Sequence, residues 1–290
     1  MGPVASISVW GAHAQRFAEC HTTARVAAVF ARSFHLRADG DFVCIGDASI
    51  GRGPLNAIVD PAGWALAAKH QPSVGTEAHI GDGTMECGRL VLATAAASSW
   101  FPPPWPRNGN RQALTVALEG FERLACQGAP VDGIARVALG SAGLPCSGLA
   151  RVAGSRIALL REWVSTRLAG PMREPAPVGL LGLGPGLTPS GDDLLCGALV
   201  ALHAIGRIDA ARDLHAAIAG AADLATSPLS AAFLRAAAVG QSSESLHEII
   251  ILLLENQSVA HPLEAVARIG HTSGWDALAG AVLVLRAFAQ

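Results

Sequence analysis

The chain has 290 residues, of which 51% are hydrophobic and 15% are charged. This composition excludes an intrinsically disordered chain, which needs low hydrophobicity and high net charge, and the length allows one large domain or about two domains. The formal net charge is −2, from 21 basic and 23 acidic residues, so the overall electrostatic signature of a nucleic-acid-binding protein is absent. Because Lys69 is the single lysine, an anion site here must use backbone N–H groups, hydroxyls and arginine.

Three features of the sequence predict a cytoplasmic protein that does not enter a membrane. A membrane-spanning helix needs about 20 mostly apolar residues, and the best candidates are short (194–206), rich in proline (90–106) or interrupted by Arg286 (277–289). The N-terminus lacks a basic segment followed by an apolar one, so no secretory signal is expected. The six cysteines form no CxxC pair, which is typical of free thiols in a reducing compartment.

The first hundred residues favour short strands separated by glycines. Residues 26–36 and 41–46 flank an Asp39-Gly40 turn, which is a β-hairpin signal. Further short apolar runs at 54–59 and 88–94 predict two more strands. Strands at this spacing indicate a small antiparallel sheet or barrel.

A proline-rich segment, WFPPPWP at 100–106, then interrupts the chain. Four prolines in seven residues cannot continue a helix or a central strand. We place a domain boundary here, which gives a β-rich domain at 1–106 and a helical domain at 107–290. The alternative is a rigid surface loop inside one domain.

Beyond this boundary, apolar residues recur at helical spacing. Helices are predicted at 111–126, 152–168, 193–205, 209–222, 229–238, 245–255, 263–269 and 275–288. The predicted fold class is therefore α+β, with a small antiparallel β sheet or barrel followed by an all-helical domain.

The most unusual segment is a glycine-rich loop, GLGPGLTPSGDD, at residues 182–193. Ser190 is a natural N-cap for the helix that follows, and Asp193 completes a pair that resembles a capping box. A glycine-rich loop that enters a helix can present several backbone N–H groups to an anion. The alternative is a well-capped helix start with no ligand. The loop is neither a Walker loop nor a GxGxxG fingerprint.

An internal repeat accompanies this loop. Residues 190–202 align without gaps with residues 273–285, and both segments begin Ser-Gly, continue with an aspartate and carry a glycine (Gly197, Gly280) one turn later. We predict that the two helices pack as a pair with their N-termini side by side. The alternative is coincidence in a chain rich in alanine and leucine.

A third helix start, at 226–230, combines a hydroxyl cap with a proline at the first helical position. The hypothesis is that the three N-termini converge on one pocket. The residues proposed to bind a substrate or anion there are Gly184, Gly186, Thr188, Ser190, Gly191, Thr226, Ser227, Ser230, Thr272, Ser273 and Gly274.

Four residues of these segments are candidates for catalysis. His271 is a candidate acid or base, and the alternative is a helix-flanking histidine without chemistry. Asp192, Asp193 and Asp276 are able to polarise a substrate amine or hold a divalent cation, and the alternative is pure helix capping. No HxH or HExxH motif is present, so no metal or other cofactor is assigned.

The GLGPGLTPSGDD string, together with the segments at 226–230 and 271–276, resembles the AllH-type subunit family of oxamate carbamoyltransferase. The stretch GPLNAIV at 53–59 is similar to the N-terminal region of that family. The resemblance implies a role in purine and allantoin breakdown, where oxamate and carbamoyl phosphate interconvert with oxalurate and phosphate. It also implies partner subunits of the carbamoyltransferase, and it is compatible with a homo-oligomer.

Two other classes of function stay open. The same loop would serve a non-catalytic scaffold or a regulator that binds a small molecule, or a stand-alone enzyme of related carbamoyl or amide chemistry. The family resemblance carries no catalytic residues over to this chain, so the candidate residues rest on the physical arguments above. An anion-binding loop would suit carbamoyl phosphate or the oxamate carboxylate.

Overall fold

The computed structural model describes residues 2–106, 110–140, 145–171 and 174–290. The chain divides into two units, Met1–Pro102 and Pro103–Gln290. The division lies inside the proline-rich segment. In the described part of the chain, the cysteines form no disulfide.

The first unit is built from nine strands, of which eight close into a barrel in the order β5-β4-β3-β2-β6-β7-β8-β1. The strands are β1 (Val4–Gly11), β2 (Thr23–Phe30), β3 (Ser33–Ala38), β4 (Asp41–Gly46), β5 (Asn56–Val59), β6 (Glu77–Gly81), β7 (Thr84–Cys87), β8 (Leu90–Ala93) and β9 (Ser98–Trp100). Strand β1 closes the barrel because it pairs with β8 and β9 along one edge and with β5 along the other.

The predicted β-rich unit is therefore confirmed, and its pairing is mixed rather than purely antiparallel. Strands β4 and β5 are parallel, as are β1 with β8 and β1 with β9. The β4–β5 pair is parallel because residues 47–55 cross over between them, and parallel neighbours need such a crossover. Two helices, α1 (Ala12–Cys20) and α2 (Pro61–Ala67), complete this unit.

The predicted hairpin at Asp39-Gly40 is confirmed. Both turn residues have positive φ, 46° and 86°, as the type I′ turn of a two-residue hairpin requires. The single strand predicted at 26–36 is wrong, because the chain reverses after Phe30 and pairs β2 with β3. That reversal contains no glycine, asparagine or proline to mark it in the sequence.

The second unit is helical in its described part. Its helices are α3 (Arg111–Gly128), α4 (Ala135–Ala138), α5 (Gly148–Ala169), α6 (Ser190–Ala204), α7 (Ile208–Ala225), α8 (Pro228–Ala237), α9 (Glu244–Leu254), α10 (Ala260–Val266) and α11 (Ser273–Ala289). All eight predicted helices are present, and the short α4 was not predicted. No helix among the described residues has the length and apolar character to cross a membrane.

Helices α6 and α11 form the centre of this unit, and both are buried on nearly every side. Their contact depends on two glycines. A Cβ atom at Gly197 would lie 1.7 Å from the carbonyl oxygen of Ala277, and one at Gly280 would lie 1.9 Å from that of Leu194. These positions correspond in the internal repeat, so the contact has approximate two-fold symmetry. The predicted pairing of the two helices is confirmed.

We expect Gly197→Ala to destabilise the fold by about 2–3 kcal/mol, because the added methyl group forces two central helices apart. Gly220→Ala is the control, since nothing lies within 4 Å of a Cβ at that position in α7. In the control, better helix propensity adds up to about 1 kcal/mol. Denaturant unfolding of both variants measures the difference, and equal stabilities would show that the glycine contact is dispensable.

Candidate functional site

The starts of α6, α8 and α11 are joined by side-chain hydroxyls. Thr188 Oγ1 lies 2.9 Å from Ser273 Oγ, and Ser190 Oγ lies 3.5 Å from Thr272 Oγ1. From the third helix start, Ser227 donates a hydrogen bond to the carbonyl oxygen of Leu187. The structure therefore brings the three predicted N-termini together. We call Asp192, Asp193, Asp276 and the hydroxyls around them, namely Ser190, Thr226, Ser230, Thr272 and Ser273, the aspartate–hydroxyl cluster.

The capping role predicted for Ser190 is wrong. Helix α6 begins at Ser190 itself with Pro189 as its N-cap, and no side chain caps it. Helix α11 likewise begins at Ser273, and the side chain of Thr272 does not cap it. The serines of the repeat face the opposite helix instead of capping their own: the hydroxyl of Ser190 acts to lower the pKa of Asp276, and that of Ser273 acts to lower the pKa of Asp193.

At the third helix start the predicted cap is present. Ser227 is the N-cap of α8, and its Oγ accepts a hydrogen bond of 3.0 Å from the backbone N–H of Ser230. Pro228 occupies the first helical position, where its missing N–H costs nothing. This cap fixes Thr226 and Ser230, whose hydroxyls point toward α6.

Asp192 holds the glycine-rich loop and α8 against α6. One carboxyl oxygen accepts the N–H of Gly182 at 2.6 Å, and the other accepts the hydroxyls of Ser230, at 2.7 Å, and Thr226. The side chain is fully buried, and these three donors provide hydrogen bonds to both of its carboxyl oxygens. Asp192 therefore has a structural role in the geometry, as the anchor of the cluster.

Asp276 is fully buried and is held by the segment before α4. Its Oδ1 accepts the backbone N–H groups of Ile134 and Ala135, each at 2.8 Å. A Cβ at Gly133 would lie 2.8 Å from the same oxygen, so this approach requires glycine. Burial raises the pKa of Asp276, although these donors and the hydroxyls of Ser190 and Thr272 act to lower it.

Asp193 is 8% exposed, and fewer hydrogen-bond donors act on it than on Asp276. Burial raises its pKa well above the ordinary value, the Ser273 hydroxyl acts to lower it, and the charges of Asp276 and Asp192 raise it further. Within the described residues, Oδ2 of Asp193 and Oδ2 of Asp276 are both shielded from solvent and have no hydrogen-bond partner. A buried unsatisfied polar atom is costly, so these two oxygens are the open positions of the cluster.

The glycine-rich loop offers hydrogen-bond donors, whereas the carboxyl groups of the cluster offer oxygens. Gly184 and Gly186 have φ values of 126° and 93°, which favour glycine. In the described structure, the backbone N–H groups of Gly184, Gly186 and Thr188 make no hydrogen bond, and residues 185–187 are exposed. These amides are therefore available to an anion or to water.

Gly191 and Gly274 act differently from the other predicted anion-binding glycines. Their N–H groups already bond the carbonyl oxygens of Leu183 and Ile269. A Cβ at Gly191 would lie 1.9 Å from a backbone oxygen, and one at Gly274 would lie 2.2 Å from another. Close packing at the start of each helix explains both glycines.

His271 lies at the surface, where its Nε2 is 3.0 Å from a carboxyl oxygen of Asp132. Both side chains are about three-quarters exposed, at 74% and 75%. Sequence reasoning missed Asp132, Gly133 and the two amides that hold Asp276. Only Gly133 could have drawn attention, and a single glycine in a loop is a weak signal.

Residues 180–285 match the family model described as oxamate carbamoyltransferase subunit AllH. This part of the chain is similar to the AllH family. The resemblance found in the sequence is confirmed there, and the AllH segment contains every aspartate and hydroxyl of the cluster. The segment 132–135, which holds Asp276, lies outside it. No solved structure matches the chain.

The electrostatics of the cluster favour hydrogen-bond donors over bare anions. Among the contacts of the described residues, no arginine or lysine bonds Asp192, Asp193 or Asp276. The described residues also contain no group of three or more His, Cys, Asp or Glu side chains arranged to hold a metal ion. A hydrogen-bond donor such as N–H suits an open oxygen that is ionised, and an anion is better placed on the loop amides.

We expect Asp193→Asn to stabilise the fold increasingly as pH rises. Because burial raises the pKa of Asp193 above its ordinary 3.8, the folded state binds the proton more tightly than the unfolded chain. The stability from this group is complete below about pH 4 and is lost as pH rises toward the folded pKa. Asparagine does not titrate, so the variant has no such loss. Urea unfolding of both proteins over a pH series measures the difference in their free energies of unfolding. A difference that does not change with pH would contradict the raised pKa of Asp193.

Proposed function

We propose that this chain is a subunit of oxamate carbamoyltransferase and that the aspartate–hydroxyl cluster with its loop binds oxamate. The observation that carries the proposal is the pair of buried oxygens on Asp193 and Asp276 that have no hydrogen-bond partner among the described residues. Oxamate has an amide at one end and a carboxylate at the other. The cluster suits the amide, and the N–H groups of Gly184, Gly186 and Thr188 suit the carboxylate.

The reaction joins the oxamate nitrogen to the carbamoyl carbon of carbamoyl phosphate. The new C–N bond forms, the C–O bond to phosphate breaks, and phosphate leaves with its electron pair. The nitrogen must lose one proton, and a carboxylate placed beside it supplies the general base. We assign this role to Asp276, because its Oδ1 is held by two backbone amides while its Oδ2 is open. Asp192 anchors the site.

Access to the open oxygens requires a movement of the glycine-rich loop. Thr188 bonds Ser273, whose hydroxyl acts on Asp193, so we propose that displacement of the loop, which is exposed at 185–187, uncovers the cluster. Because no lysine or arginine bonds the cluster in the described structure, we propose that partner subunits supply most of the cations for carbamoyl phosphate. A cytoplasmic location and a place in purine and allantoin breakdown belong to the same proposal.

The deciding experiment combines the chain with its candidate partner subunits and follows phosphate release from carbamoyl phosphate and oxamate. We expect Asp276→Asn to lower turnover by about 10²–10⁴-fold, the usual contribution of a general base. Glu119→Gln, an exposed change on α3, is the control for charge. Full activity of Asp276→Asn would move the chemistry to another subunit and leave this chain the role of scaffold or regulator.

His271 is tested separately, because its exposed position suits proton exchange with solvent better than direct contact with substrate. We expect His271→Gln to change stability by less than about 0.5 kcal/mol, since an exposed pair with Asp132 contributes little. In the same phosphate-release assay it should lower turnover less than Asp276→Asn does. A loss equal to that of Asp276→Asn would instead make His271 a direct acid or base.

A further inference from the structure

Asp193 and Asp276 occupy corresponding positions in the internal repeat, and each has one open oxygen. Their hydrogen bonds are nevertheless unequal. Four donors act on Asp276, namely two backbone amides and the hydroxyls of Ser190 and Thr272. In the described part of the chain, the hydroxyl of Ser273 is the donor that acts on Asp193. Donors to a carboxylate favour its charged form, so the negative charge belongs on Asp276.

The charged surroundings point to the same assignment. The titratable groups that act on Asp193 are Asp276 from α11 and Asp192 from its own helix. Both are acidic, and like charges at close range disfavour a second ionised carboxyl. Cys196, one turn along α6, adds no charge because burial and the two aspartates raise the pKa of its thiol well above the ordinary value. A proton on Asp193 relieves this repulsion.

We infer that Asp193 and Asp276 form a donor–acceptor pair, with a neutral carboxyl at Asp193 and a carboxylate at Asp276, and that this pair recognises a primary amide. The identity of that amide, the –C(=O)NH₂ group of oxamate, rests on the proposed function. A primary amide presents a carbonyl acceptor and an N–H donor side by side. The Asp193 hydroxyl donates to the carbonyl oxygen, and Oδ2 of Asp276 accepts an N–H.

This arrangement also selects against a carboxylate in the same position. Oxalate has the size of oxamate but carries an oxygen where oxamate has its NH₂ group. Its oxygen would face the Asp276 carboxylate with no hydrogen between them, and two buried acceptors in contact repel each other. During the reaction the nitrogen proton moves to Oδ2 of Asp276, while the Asp193 hydroxyl stabilises the charge that develops on the amide oxygen.

A matched pair of variants tests the assignment by calorimetric titration with oxamate and oxalate, on the chain alone and on the complex with its partner subunits. Each asparagine keeps a carbonyl oxygen for the existing donors and turns an NH₂ group toward the ligand. Asp193→Asn therefore preserves a donor, and oxamate should bind within about threefold of wild type. Asp276→Asn replaces the acceptor by a donor, and oxamate should bind at least about tenfold more weakly. Wild type should prefer oxamate over oxalate by a similar factor.

Infrared spectroscopy of the unliganded chain at neutral pH gives a second readout that needs no ligand. The carbonyl stretch of a protonated carboxyl should be present in wild type and in Asp276→Asn and absent in Asp193→Asn. Equal binding losses in both variants, or a protonated-carboxyl band that persists in Asp193→Asn, would overturn the inference. If the spectra and the amide preference are as expected but the complex releases no phosphate with oxamate, the proposed function fails while the amide site stands.

Discussion

The close approach of α6 and α11 determines the rest of the helical unit. Gly197 and Gly280 each leave room for a backbone oxygen of the opposite helix, so the two helix axes come nearer than larger side chains would allow. At this separation the first residues of the two helices meet. The hydroxyls of Ser190 and Ser273 then act on the carboxyls of the opposite helix instead of capping their own helices. The close packing in the middle of the two helices thus brings the serines and aspartates at their N-terminal ends together.

The second consequence is the burial of three carboxyl groups to which no arginine or lysine of the described chain is bonded. The structure compensates Asp192 with one amide and two hydroxyls, and it compensates Asp276 with amides and hydroxyls together. Helix N-termini add partial positive charge at all three positions. Asp193 has the least compensation, which is why burial raises its pKa so strongly. A buried carboxyl with so few hydrogen-bond donors is unfavourable for folding, and this is the reason why Asp193 is included in the proposed site.

The sequence predicted those features that depend on local pattern. The Asp39-Gly40 hairpin, the helices and the pairing of the two repeat segments follow from turn residues, apolar spacing and matched glycines. The predicted cap at Ser190 was wrong because capping rules consider one helix at a time, whereas α6 begins at Ser190 itself and the Ser190 hydroxyl acts on Asp276 of the neighbouring helix. Barrel closure through β1 and the contact of Ile134 and Ala135 with Asp276 depend on residues that lie far apart in the sequence, which no local pattern encodes.

The asymmetry of the cluster has one source inside the repeat, where Asp192 of α6 corresponds to Trp275 of α11, and a second source outside it. On their own, two equivalent helices with a serine and an aspartate in the same positions would present two equivalent carboxyls. The segment 132–135 breaks this equivalence because its amides reach Asp276 only, and Gly133 allows them to approach. A symmetric pair would bind an amide equally well in either direction, whereas the proposed donor–acceptor pair would orient it so that its nitrogen faces Asp276. The repeat therefore supplies the two carboxyls, and the neighbouring loop gives them different hydrogen-bond donors.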